Sequence, residues 1–76
     1  MTQAYVLIEA APGKAIEAVR FISGIAGVKQ VHLVTGPYDV IAFAEASDLK
    51  TLGDVLVKKM QSSGLVSKTL TCVVVE

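Results

Sequence analysis

Seventy-six residues are enough for one small domain and exclude two. Seven Lys and Arg offset seven Asp and Glu, which leaves no basic field for a nucleic acid and no polybasic arm for a membrane surface. No apolar run approaches the roughly 20 residues of a spanning helix, and MTQAYVLIEA lacks the basic and long apolar regions of a secretion signal, so a soluble cytoplasmic chain is expected.

Residues 4–10, AYVLIEA, are β-formers and predict a first strand, broken at Pro12 and Gly13. From Lys14 to Ser23, Ile16, Val19 and Ile22 recur at helical spacing opposite Lys14, Glu17 and Arg20, so an amphipathic helix with solvated charges follows. GIAG ends it. VKQVHLVTG then reads as a second strand, carried by Val28, Val31, Leu33 and Val34, and Gly36 and Pro37 mark a turn. YDVIAFAE is the third strand. Ser47 or Asp48 is placed to cap a second helix whose apolar face is Leu49, Leu52, Leu56 and Met60, widened by Val55. Lys58 and Lys59 suit its C-terminal dipole, SSG closes it, and LVSKTLTCVVV is the last strand.

The order β-α-β-β-α-β looks like one unit used twice, with Gly27 and Gly64 at matching helix exits. It predicts an α+β fold, the ferredoxin-like plait: a four-stranded antiparallel sheet with two helices on one face. A sheet covered on one face alternates apolar and polar residues. VIAFA, YVLI and VVV do not. Hydrophobic residues make up 53% of the chain, while a domain of this size buries only about 60% of its unfolded surface. A second copy packed sheet to sheet about a two-fold axis is therefore expected, with assembly into a larger ring as an extension.

Enzyme chemistry finds little footing. No CxxC or HxxxH pair offers a metal site, no GxGxxG or GxxxxGK[ST] offers a phosphate cradle, and no cofactor is implied. The lone His32 lies mid-strand and reads as structural, and Cys72, within LTCVVV, reads as a buried strand residue. The turn at TGPYDV is different. A free amino acid presents a carboxylate that seeks N–H donors and an ammonium that seeks an anion. Gly36 allows close approach, Pro37 sets the bend, Tyr38 and Asp39 bring N–H groups, and the Asp39 side chain is an acceptor. The plainer alternative is that Asp39 only closes the turn by bonding its own backbone. Spacing leaves both open.

At these residues the chain resembles the effector domain of the leucine-responsive and asparagine-responsive (Lrp/AsnC) regulators, the RAM domain, through AGVKQVHLVTGPYDVIAFAEASDLKTLGDVL. The likeness extends over essentially all of residues 1–76. It implies a sheet-to-sheet dimer, assembly into octamers, decamers or similar rings, and amino-acid binding where dimers meet. It also implies ligand contacts at Thr35, Gly36, Pro37, Tyr38 and Asp39, with Ser67, Thr69 and Thr71 of the last strand as contributions from a partner subunit. Those regulators carry an N-terminal helix-turn-helix, for which this sequence has no residues ahead of its first strand. A stand-alone sensing module is thus expected, acting without direct DNA binding through a full-length regulator or a metabolic enzyme. Two rivals share the βαββαβ order. An ACT-like domain would place its ligand at APGKA, and a small dimeric α/β-barrel enzyme would need His32 or Tyr5 in a pocket between sheet and helices.

Overall fold

The computed structural model describes residues 1–76. Strand β1 (Thr2–Ala10) leads through a short turn to α1 (Ala15–Ser23), followed by β2 (Val28–Leu33) and β3 (Val40–Ala46). A second helix, α2, occupies residues 49–62, and β4 (Val66–Val73) completes the chain. The strands form one antiparallel sheet in the order β2-β3-β1-β4, the expected plait. The two central strands carry the core. Ala4, Val6, Ile8 and Ala10 of β1 alternate inward beside Val40, Ala42, Ala44 and Ala46 of β3, under Ala18 and Ile22 of α1 and Leu52, Leu56, Val57 and Met60 of α2. The alanines of β3 leave the room that the larger helix residues fill.

The helical faces differ from the expected ones. Ile16 is 60% exposed, and α1 buries Ala18 and Ile22 with Ala15 and Val19 packed beside them. Alanine marks a buried position as well as isoleucine does where backbones approach closely, but it is a weak signal in a hydropathy pattern. In α2 the middle stretch, Leu52–Val57, is π-helical, between α-helical stretches at Leu49–Thr51 and Lys58–Ser62. Its i→i+5 bonds bring Val57 onto the face of Leu52. Val57 is consequently buried while Leu49 and Val55 are exposed, correcting the stripe read from an α-helical period.

Asp48 caps α2. The Thr51 N–H donates to Asp48 Oδ1 at 2.7 Å, and this hydrogen bond to the charged form holds the carboxyl below its ordinary range. At the exit of α1, Gly27 has φ +97°, and a Cβ built there would lie 2.7 Å from the carbonyl oxygen of Glu45. Gly64 shares the positive φ at the exit of α2, yet nothing lies within 4 Å of a Cβ there.

The helix-free face of the sheet is apolar at its centre, with Gln3, Glu9, His32, Glu45 and Lys68 around it. Tyr5 pairs across the ladder with Phe43, and Leu7 lies between Ile41 and Leu70. The rings of Tyr5 and Phe43 sit 5.0 Å apart, and Tyr5 and Leu70 remain about half exposed. The unbroken apolar run in β3 thus has its physical cause: Ile41 and Phe43 face away from the helices while their neighbours face toward them. Cys72 is exposed, opposite Tyr5, and not buried as its apolar context implied.

Candidate functional site

One end of the sheet gathers the exit of β1, the β2–β3 connection and the entry of β4. Strand β1 outruns β3 there, since the ladder ends at Ile8 opposite Val40 while β1 continues to Ala10. Asp39 finishes the pairing. Its backbone N–H donates to Ile8 O at 3.0 Å, its carboxylate Oδ2 accepts the Ala10 N–H at 3.0 Å, and its carbonyl accepts the Val34 N–H at 2.8 Å. The side chain therefore bonds across strands to β1 and not to its own turn. One carboxylate oxygen serves the fold, and the other has no protein partner.

Beside it opens a cleft of about 620 Å³, walled by Ala10, Ala11, Pro12 and Gly13, by Ala15, Ile16, Glu17 and Arg20 of α1, and by Asp39. The charges within it differ in availability. Glu17 is 3.6 Å from Lys14, a pair open to solvent, whereas Arg20 belongs to neither of the two ion pairs in the protein. The cleft thus presents a guanidinium outside both ion pairs and a half-engaged carboxylate against a wall of mixed polarity.

Of the ligand contacts that the resemblance implies, Asp39 alone lines this cleft, together with Ala11, Pro12, Gly13 and Ala15 of the APGKA segment. Thr35, Gly36 and Pro37 are exposed on the connection, and Tyr38 is half-buried next to Asp39. Gly36 has φ +148°, a conformation that favours glycine. Ser67 sits at the sheet irregularity where Ala10 meets Val66, hence at the same end. Thr69 and Thr71 lie farther along β4, opposite Ile8 and Val6, and Thr69 Oγ1 accepts a 2.8 Å bond from Gln61 Nε2. These β4 residues are not brought to Asp39 within one chain. Conversely, Ile16, Glu17 and Arg20 line the cleft, although helical spacing reads Ile16 as core and the two charges as solvated.

The barrel-enzyme alternative expected Tyr5 or His32 in a pocket between sheet and helices. The register puts Tyr5 beside Phe43 and His32 beside Ile41, on the face opposite the helices. No group of three or more His, Cys, Asp or Glu side chains is arranged to hold a metal.

The family model for the Lrp/AsnC ligand binding domain matches residues 3–76. The chain belongs to this family. An uncharacterised HTH-type transcriptional regulator of Pyrococcus horikoshii is 32% identical over 75 residues, covering 95% of this chain and 50% of that protein. The domain therefore spans about half the length of the curated relatives it matches. A crystal structure of a Thermus thermophilus protein superposes with a TM-score of 0.92 at 30% identity, covering 100% of this chain and 95% of that one. A Neisseria meningitidis transcriptional regulator in complex with L-Met superposes with a TM-score of 0.87. At 18% identity, covering 99% of this chain and 50% of that one, it shares the fold. The family model and the regulator relatives make this a regulatory effector domain, and no helix in it is long and apolar enough to cross a membrane.

Proposed function

We propose that this domain binds a free amino acid at the sheet end around Asp39 and transmits occupancy through self-assembly, acting in regulation of amino-acid metabolism or transcription. The carrying observation is Asp39 itself: a carboxylate anchored by Ala10, with one oxygen unpartnered, on the wall of an open cleft. An ammonium group is the natural partner for that oxygen. Membership of a ligand-binding family of regulators supports the reading, as does the L-Met complex of a protein with the same fold.

Assembly follows from the helix-free face. Tyr5, Leu7, Ile41, Phe43 and Leu70 form a continuous apolar surface whose simplest cover is the same surface of a second copy. A standard interface takes about 800 Å² from each partner, roughly a sixth of the 4646 Å² that this chain exposes. Dimers then meet near the β2–β3 connections to build a ring, where Thr35 to Tyr38 of one subunit and Ser67, Thr69 and Thr71 of another complete the ligand shell. The domain works without catalysis in the cytoplasm and without contacting DNA itself, through a full-length regulator or a metabolic enzyme. The β1–α1 turn and α1 supply most of the cleft wall, so an ACT-like site at APGKA is the second reading, favoured by a ligand response that survives removal of the Asp39 charge.

The test is thermal stability of the purified protein against each of the twenty amino acids. A ligand at one hundred times its dissociation constant stabilises the folded state by about 2.7 kcal/mol. Asp39→Asn keeps an acceptor for the Ala10 N–H and removes the charge, so it should retain the unliganded melting temperature and lose the ligand-induced rise. An equal rise in Asp39→Asn would move the site away from Asp39. No rise with any amino acid would overturn the effector reading.

A further inference from the structure

We infer that α2 is a two-register helix: the form described above, with a π-helical middle and Val57 in the core, exchanges with an all-α form in which Leu49 turns toward the sheet and Val57 turns off it. The inference is independent of the amino-acid reading, because no residue of α2 lines the cleft at Asp39.

The sequence of α2 carries two overlapping apolar faces. In an all-α helix Leu49, Leu52, Leu56 and Met60 share one stripe, and Val57, next to Leu56, falls on its flank. The structure buries Leu52, Leu56, Val57 and Met60 and leaves Leu49 59% exposed. Three residues are common to both faces, and Leu49 and Val57 are the alternates. A π turn closes its ring with one residue more than an α turn, so its loss rotates one end of the helix against the other by about one residue, roughly 100°. That rotation is what carries Leu49 inward.

The N-terminal end is the one free to turn. At the other end Met60 is buried and Gln61 Nε2 donates to Thr69 Oγ1 of β4 at 2.8 Å. None of Leu49, Lys50 and Thr51 is buried, and the cap bonds stay within the helix, from the Thr51 N–H to Asp48 Oδ1 and from the Leu52 N–H to Asp48 O. The first turn therefore rotates with its cap and breaks no bond to the sheet. Gly53 lies inside the π-helical stretch, where glycine weakens a helix relative to alanine. No close approach asks for it, since nothing lies within 4 Å of a Cβ built there, and its φ is not positive. Backbone freedom at the point of exchange is the use that remains. The helix layer thus shows a partner one of two surfaces, with Leu49 outward or with Val57 outward, and a partner that grips either one fixes the register.

The experiment is amide and methyl relaxation-dispersion NMR on the purified full chain, which reads the microsecond-to-millisecond range of helix register shifts. Wild type should show exchange at Leu49, Leu52 and Val57 and none at Ala18 and Ile22 of α1. Leu49→Ala penalises only the all-α form, so it should keep the melting temperature of wild type and lower the minor population about tenfold or more. Val57→Ala removes two buried methyl groups from the π-containing form. It should raise the minor population about tenfold and give the Leu49 methyls nuclear Overhauser contacts with core methyls, while unchanged Ile8 and Ile22 shifts report an intact fold. Absence of exchange at Leu49 and Val57 in wild type overturns the inference. So does exchange that Leu49→Ala leaves unchanged, which is fraying of the first turn, and so does a Val57→Ala variant in which Leu49 gains no core contact.

Discussion

Gly27→Ala should destabilise the domain far more than Gly64→Ala, although the two glycines occupy equivalent helix exits. Both have positive φ, +97° and +80°, so each alanine meets the left-handed penalty of about 1–2 kcal/mol. Only at Gly27 does the new methyl also enter occupied space, 2.7 Å from Glu45 O and 2.9 Å from Leu56 Cδ2. Leu56 is a flexible side chain and can turn aside, at a packing cost. The Glu45 carbonyl cannot, because it belongs to β3, whose Glu45 N–H donates to Gly27 O at 2.8 Å. Relieving the clash means lengthening that bond or bending β3, an overpacking cost of about 1–3 kcal/mol. The sum is about 2–5 kcal/mol for Gly27→Ala, against about 1–2 for Gly64→Ala. At roughly 4–8 °C per kcal/mol for a domain of this size, the overpacking difference of about 1–3 kcal/mol should separate the melting temperatures of the two variants by about 4–24 °C. Both should be measured by calorimetry at one protein concentration, so that assembly contributes equally. Equal losses in the two variants would show that β3 gives way freely and that the close approach at Gly27 carries no energy.

Phe43→Asp should leave the protomer folded, since the side chain lies on the helix-free face, and should abolish dimerisation in sedimentation experiments. A dimer that survives this buried charge would refute sheet-to-sheet assembly. Stability should also fall with acidification through Asp48. The capped carboxylate has a folded-state pKa below its ordinary value of 3.8, so its contribution is present above that value and lost as pH drops through the lower folded one. Chemical denaturation of Asp48→Asn between pH 5 and pH 2 should show a shallower acid loss than wild type; an identical profile would remove Asp48 from the account.

Chain order, strand and helix count and the plait itself were legible in the sequence because they rest on local properties: β-branched runs, a helical period, glycine at exits and a capping aspartate. The unbroken apolar character of VIAFA was likewise a local sign that a second sheet face needs cover. Periodicity failed where geometry departed from the ideal. The π-helical turn at Leu52–Val57 exchanged Val55 for Val57 at the core, and close packing of Ala15 and Ala18 displaced Ile16 to the surface. Asp39 was recognisable from its turn, but its bond to Ala10 joins residues 29 apart in sequence, as only the strand register could reveal. Arg20 shows the limit most clearly. Which charges around it are already paired is a property of three-dimensional distances: Glu17 stands equally far in sequence from Lys14 and Arg20, and it pairs with Lys14.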